Sequence, residues 1–184
     1  MAPGPLKRRR GWDIQRFMAQ PPHPPLDWSG KAPFPFTRES TIRLDAEGRF
    51  FHDGALVEHP GLAHAMHTWI SRHPNDGRYV LENGWDWCYL TVDDTPFVIR
   101  AAHVDGDSLI ATLSDGTTER LAPSGLRVGD DGSLRCEVRA GAKGGPYPAR
   151  FDRHALVSLG ERLTEKDGGY VLSIGGREHP IARA

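Results

Sequence analysis

Two cysteines in 184 residues, Cys88 and Cys136, are too few to staple a fold. Both sit in apolar, strand-like runs, so they read as reduced, buried thiols, and a disulfide-rich secreted scaffold is excluded. No apolar run reaches the roughly 20 residues that a membrane-spanning helix needs. Charge of one sign is also lacking. Twenty-three basic residues face 24 acidic ones, a formal net charge of -1. That balance argues against a globally basic nucleic-acid binder. The basic cluster at residues 7–10 is not followed by an apolar stretch, because Asp13, Gln15 and Arg16 interrupt residues 12–20. It does not read as a secretory signal, and a cytoplasmic protein is expected. Missing too are a Gly-Xaa4-Gly-Lys-Ser/Thr loop, a Gly-Xaa-Gly-Xaa-Xaa-Gly turn and a nucleophile elbow. No cofactor is therefore expected.

Glycine (21) and proline (15) are plentiful, which favours short strands and tight turns over long helices. Residues 1–40 read as a tail and linker. Pro21, Pro22, Pro24, Pro25, Pro33 and Pro35 lack the amide that a sheet ladder requires. Trp12, Phe17 and Trp28 are positioned to pin parts of that tail to the body. The ordered body starts near Thr41. Ile42 and Leu44 alternate with Arg43 and Asp45, the period of a half-buried strand. Residues 49–52 form the return strand, and Asp53-Gly54 is a hairpin turn into residues 55–58. Pro60 opens a helix whose apolar face carries Leu62, Met66, Trp69, Ile70 and His73. Strands follow at 78–81, 85–92, 97–104, 108–113 and 117–121, separated by Asp-rich and Asp-Gly turns.

Then the pattern returns. Ile42-Arg43-Leu44 before Glu47-Gly48 reappears 84 residues later as Leu126-Arg127-Val128 before Asp131-Gly132. Asp76-Gly77-Arg78-Tyr79-Val80-Leu81 reappears 91 residues later as Asp167-Gly168-Gly169-Tyr170-Val171-Leu172. The glycine-rich loop at 140–147 absorbs the difference. Each copy encloses a helix, the second over residues 152–164 with Leu156, Leu159 and Leu163 on one face. Two collinear matches predict an internal duplication. The expected fold is α+β, two repeated strand–strand–helix–strand units with mainly antiparallel sheets. The units run from 41 to 122, with extra hairpin strands, and from 123 to 184.

His59, His64, His67 and His73 cluster around the first helix. His64 and His67, spaced i, i+3, suit a metal, but they lie opposite a buried face centred on Leu62. Both are expected in solvent, with no metal bound. His73, on the apolar face at the helix end, has a structural role there. Gly141, Lys143, Gly144 and Gly145 read as an exposed flexible loop. The most unusual segment is residues 83–92. On one strand, Trp85, Trp87 and Tyr89 share a face, and Asp86, Cys88, Leu90 and Val92 share the other. Three aromatics are too much apolar area to leave in water, so the second unit is expected to cover them or to form a groove with them. Arg150 and Arg153 open the second helix, placed to hold an anionic ligand or to pair with Asp86.

The run Glu47-Gly48-Arg49-Phe50-Phe51-His52-Asp53-Gly54, the run from Asp76 to Leu81, the run Leu90-Thr91-Val92-Asp93-Asp94-Thr95-Pro96-Phe97, and Ala149-Arg150-Phe151-Asp152-Arg153 resemble the bacterial family called domain of unknown function 1285. The resemblance spans roughly residues 24–182. It implies duplicated β/helix modules, a second unit superficially like a pleckstrin-homology fold, and a small ligand held between the units in signalling. Where the family has Thr-Pro-Xaa-Glu-Lys, this chain has Asn83-Gly84-Trp85-Asp86-Trp87. Asp86 keeps the acid, but Trp87 replaces the lysine.

The function that follows is a non-catalytic protein binding a small, nucleotide-like ligand or a protein partner at the unit junction. Trp85, Asp86, Trp87, Tyr89, Arg150 and Arg153 would form the site. The rivals are a small hydrolase or metal-dependent enzyme using His52, His64 or His67 with Asp53 or Asp86, and a pure interaction adaptor that docks through its tail.

Overall fold

Glycines with positive φ set where this chain reverses direction. The computed structural model describes residues 25–31 and 37–184. The basic cluster at 7–10, Trp12 and Phe17 lie outside them. Among the described residues the fold is mainly antiparallel strand, with two short α-helices.

The first half opens with β1 (Arg43–Leu44), β2 (Phe50–His52) and β3 (Ala55–Leu56). The β1–β2 turn closes as Asp45 N–H donates to Arg49 O at 3.0 Å and Gly48 N–H to Asp45 O at 2.9 Å, with Gly48 at φ +74. A Cβ on Gly48 would also stand 2.8 Å from the Arg100 guanidinium, so this turn needs glycine twice over. Helix α1 (Pro60–Thr68) follows, capped by His59, whose Nδ1 accepts from Leu62 N–H at 3.1 Å. Next come β4 (Ile70–Arg72), β5 (Tyr79–Glu82), β6 (Trp87–Tyr89) and β7 (Thr91–Val92). β4, β5 and β6 form one antiparallel sheet, and β3, β2, β1 and β7 another. The expected continuous strand over 85–92 breaks at Leu90, because β6 pairs with β5 whereas β7 pairs in parallel with β1. The chain turns a corner between two sheets there.

The first helix is shorter than its apolar period implies. It stops at Thr68, whose hydroxyl donates to Ala65 O at 2.7 Å, and the backbone re-enters a sheet at Ile70. Ile70 and His73 are therefore on and beyond a strand, not on a helical face. The buried residues of α1 are Met66 and His67, while Leu62 remains 45% exposed. The expected solvent position of His67 is thus corrected, and that of His64 stands.

A long hairpin links the halves. β8 (Phe97–Asp105), β9 (Ser108–Leu113) and β10 (Thr118–Leu121) run antiparallel. The second half then runs β11 (Arg127–Val128), β12 (Leu134–Val138), β13 (Tyr147–Phe151), α2 (Arg153–Leu159), β14 (Leu163–Lys166), β15 (Gly169–Ile174) and β16 (Arg177–Arg183). The helix expected over 152–164 ends at Leu159, where Gly160 takes φ +53 and a 3₁₀ turn hands over to β14. Asp152 caps α2, accepting from Ala155 N–H at 2.8 Å. β8 pairs in parallel with β13, so one nine-stranded sheet carries the hairpin and the second half together.

The strand order in the second half is β13-β12-β11-β16-β15-β14. In the first half, joining β6 and β7 across Leu90, it is β3-β2-β1-β7/β6-β5-β4. In both, the closing pair is parallel: Arg43 faces Thr91, and Arg127 faces Ala182. One continuous core runs through both halves, from Leu44, Phe50 and Met66 through Phe97, Ile99 and Leu113 to Leu159, Leu172 and Ile174.

The Asp93-Asp94-Thr95-Pro96 segment ties the halves together. Asp94 pairs with Arg135 of β12 at 2.6 Å and with Arg150 of β13 at 3.6 Å, and Thr95, 1% exposed, donates to Phe97 O at 2.9 Å.

Candidate functional site

The aromatic strand divides when it folds. Trp85 is in a turn, not on β6: the Asn83 side-chain oxygen accepts from the Trp85 and Asp86 amides at 2.9 Å each, and Gly84 takes φ +87. Trp85 is 62% exposed. Trp87, by contrast, is 3% exposed. Its cover is not the second half. Trp28 of the N-terminal segment stacks on it with centroids 5.3 Å apart, and the Trp87 indole N–H donates to Asp27 O at 2.8 Å. His73 and Tyr89 complete the cluster, at 4.8 and 5.2 Å from Trp87. Arg38 lies over the Trp87 ring, donates to Trp87 O at 2.8 Å and pairs with Asp86. Burial would raise the Asp86 carboxyl, but the hydrogen bonds from Arg38 and the Trp87 amide hold it below the usual carboxylate range. Tyr89 is half-buried. Its hydroxyl donates to Asp76 at 2.7 Å, and Arg78 lies 3.5 Å over its ring.

Arg150 and Arg153 are elsewhere. Arg150 is on β13 beside Asp94, and Arg153 is exposed on the first turn of α2. The six residues selected from sequence therefore fall into separate places: Asp86, Trp87 and Tyr89 together, Trp85 beside them, and the two arginines on the second half.

The half-to-half contact is closed by the glycine-rich loop. Lys143 pairs with Glu82 at 2.8 Å and sits 4.5 Å over the Trp28 ring, while Tyr147 hydroxyl donates to Lys143 O at 2.6 Å. A Cβ on Gly144 would lie 2.7 Å from the Tyr147 hydroxyl and 3.0 Å from Arg72 Cβ. The loop expected to be free is anchored on β4. The space left between it and β4–β5 is about 180 Å³.

A larger, apolar cavity of about 360 Å³ lies within the first half. Ile42, Val57, Leu62, Met66, Trp69 and Leu81 wall it, and His52, Asn83, Asp86 and Cys88 bring polar atoms to it. Helix α1 forms one side, β5–β6 another, and β1–β3 the third. Sequence reasoning missed this site because it assigned Leu62 to the core. The signal available was Val57 and Leu62 on either side of the Pro60 helix start. Desolvation raises the Cys88 thiol, which makes it a poor nucleophile.

The histidines do not converge. His52 is exposed, 3.8 Å from Asp53. His67 points inward, its Nε2 3.1 Å from Gly48 O and its ring against Phe50. Burial lowers its pKa to about 4. Among the described residues no three His, Cys, Asp or Glu side chains are grouped as metal ligands.

No model of a known protein family matches the sequence, and no curated protein does. Solved structures match the fold. A DUF1285 family protein from Silicibacter pomeroyi superposes with a TM-score of 0.54 at 20% identity, over 78% of this chain and 80% of that one. A DUF1285 family protein from Shewanella baltica gives 0.48 at 16% identity, over 61% of this chain and 84% of that one. The chain has the fold of the first of these proteins.

Proposed function

We propose that this chain is a DUF1285 family protein that binds a small, mainly apolar ligand without catalysing a reaction on it, in the cavity of its first half. One observation carries the reading: a cavity of about 360 Å³ with six apolar walls and a polar edge at His52, Asn83 and Asp86. That volume suits a compact organic ligand, and few convergent polar groups are enough to orient one. Asp86 and Trp87, expected at the junction of the halves, contribute in this reading to the edge of the first-half cavity instead.

The duplication belongs to the same proposal. The closing parallel pairs, the glycine turns at Gly48 and Gly132, and the helix caps at His59 and Asp152 support it. So do the registers Glu82 with Trp87 and Ser173 with Glu178, each pair 91 residues from its counterpart. The pleckstrin-homology likeness of the second unit is part of the same proposal and comes from the family resemblance of the sequence. A signalling role would follow if occupancy of the cavity shifted α1.

A fluorescence titration of the purified chain with Nile red, with native mass spectrometry for the stoichiometry, tests the ligand reading. The expected result is saturable fluorescence enhancement with one site per chain. Leu62→Arg, at a half-exposed wall position that tolerates charge, should reduce it at least tenfold while the thermal melt stays within a few degrees. Equal enhancement by the variant would remove the cavity as the site.

A further inference from the structure

Among the described residues the nine-stranded sheet ends on β10, which pairs there only with β9. At the hairpin, Leu113 N–H donates to Thr117 O at 2.8 Å. Alternation along an antiparallel ladder then turns the backbone groups of Glu119 and Leu121 towards β9 and those of Thr118 and Arg120 to the open edge. An edge of this kind is a template for another strand.

A cleft of about 650 Å³ runs beside that edge. Leu121, Cys136 and Val138, all buried, make an apolar floor. Arg120, Arg127, Arg135 and Arg139 rim it, against the carboxylates of Glu119 and Glu137. The four guanidiniums are not equivalent. Arg135 is held by Asp94 and Asp131, and Arg139 by Asp115. Arg120 contacts the Ser108 hydroxyl, and Arg127 the carbonyls of Ser124 and Leu126, at 2.6 and 2.7 Å. Neither has a carboxylate within ion-pair distance among the described residues. Glu119 is occupied by the Arg139 amide at 2.9 and 3.1 Å.

We propose that the β10 edge and this cleft dock an acidic, extended segment of a partner protein by strand addition. The open backbone of Thr118 and Arg120 selects an extended peptide. Arg120 and Arg127 take its carboxylates, and the floor takes an alternate apolar side chain. A bare edge would accept any strand, and arginines alone would accept any anion. Together they specify both the charge and the conformation of the occupant.

The test uses the full chain and a fluorescein-labelled seven-residue peptide alternating glutamate and valine, followed by anisotropy. Saturable binding is expected. Arg120→Glu combined with Arg127→Glu should weaken it at least tenfold with the thermal melt unchanged, because both side chains are exposed. Methylating alternate backbone nitrogens of the peptide should abolish it, and a lysine–valine peptide should not bind. Undiminished binding of the methylated peptide would overturn strand addition. Equal binding of the lysine–valine peptide would overturn the assignment to the arginines. Sedimentation showing a dimer that Arg120→Pro dissolves would give the edge to a second copy of the chain and overturn the proposal.

Discussion

The two halves share a strand order and differ in what covers them. In the second half, α2 lies on β8: Ser158 hydroxyl donates to Ala102 O at 2.8 Å, and Ala155, three residues after the cap, is 0% exposed. In the first half the residue three after the cap is Leu62, 45% exposed, over a cavity. The β8–β10 hairpin exists once, and it serves the second helix. The sheets differ as well. On β6, opposite Glu82, stands Trp87, buried under Trp28. On β16, opposite Ser173, stands Glu178, in water and paired with Lys166 at 2.7 Å. A similar strand order thus leaves one half closed and the other with an open helix and a borrowed aromatic lid.

Three measurements sharpen or break that contrast. The largest expected effect is at the lid. Trp87→Ala should cost about 3–5 kcal/mol in urea unfolding, as for other large-to-small core changes, whereas Glu178→Ala should stay within about 0.5 kcal/mol. Similar costs would mean that Trp28 gives Trp87 no real cover.

The second measurement is pH dependence. The folded pKa of His67, about 4, lies below its unfolded value of 6.5. Between these values the unfolded chain binds the proton and the folded one does not. Stability should therefore fall as pH drops from about 6.5 to about 4, by on the order of 3 kcal/mol, and level off below. His67→Met should flatten that part of the profile. A profile unchanged by the substitution would show that other groups set it.

The smallest effect is at the exposed helix. Leu62→Ala should cost about 1 kcal/mol or less, because half of the side chain is already in water. A loss above about 2 kcal/mol would mean that α1 closes on the core in solution.

Much of the frame was legible. Asp-Gly and Glu-Gly turns fixed the hairpins because glycine alone enters positive φ without strain, and the turns that flank them marked β8, β9 and β10 to within a residue. Pro60 marked the start of α1. Its end was not legible. Trp69, Ile70 and His73 continue a helical period, yet Ile70 finds a better partner in Leu81 across a sheet. Periodicity reports which residues are apolar, not which neighbour removes them from water.

The site was less legible than the fold. The sequence marked Asp86, Trp87 and Tyr89 as unusual, and they do stand together. It also grouped Arg150 with them, but Arg150 is drawn to Asp94.

By itself, then, the sequence determined the turns, the strand-rich class and the matched spacings along the chain, because these depend on local backbone chemistry. Only the tertiary structure decided that His67 turns inward, that Trp28 covers Trp87, and that the cavity lies under Leu62. Each of those depends on a segment distant in sequence arriving, or failing to arrive, over a given surface, and local periodicity carries no record of that.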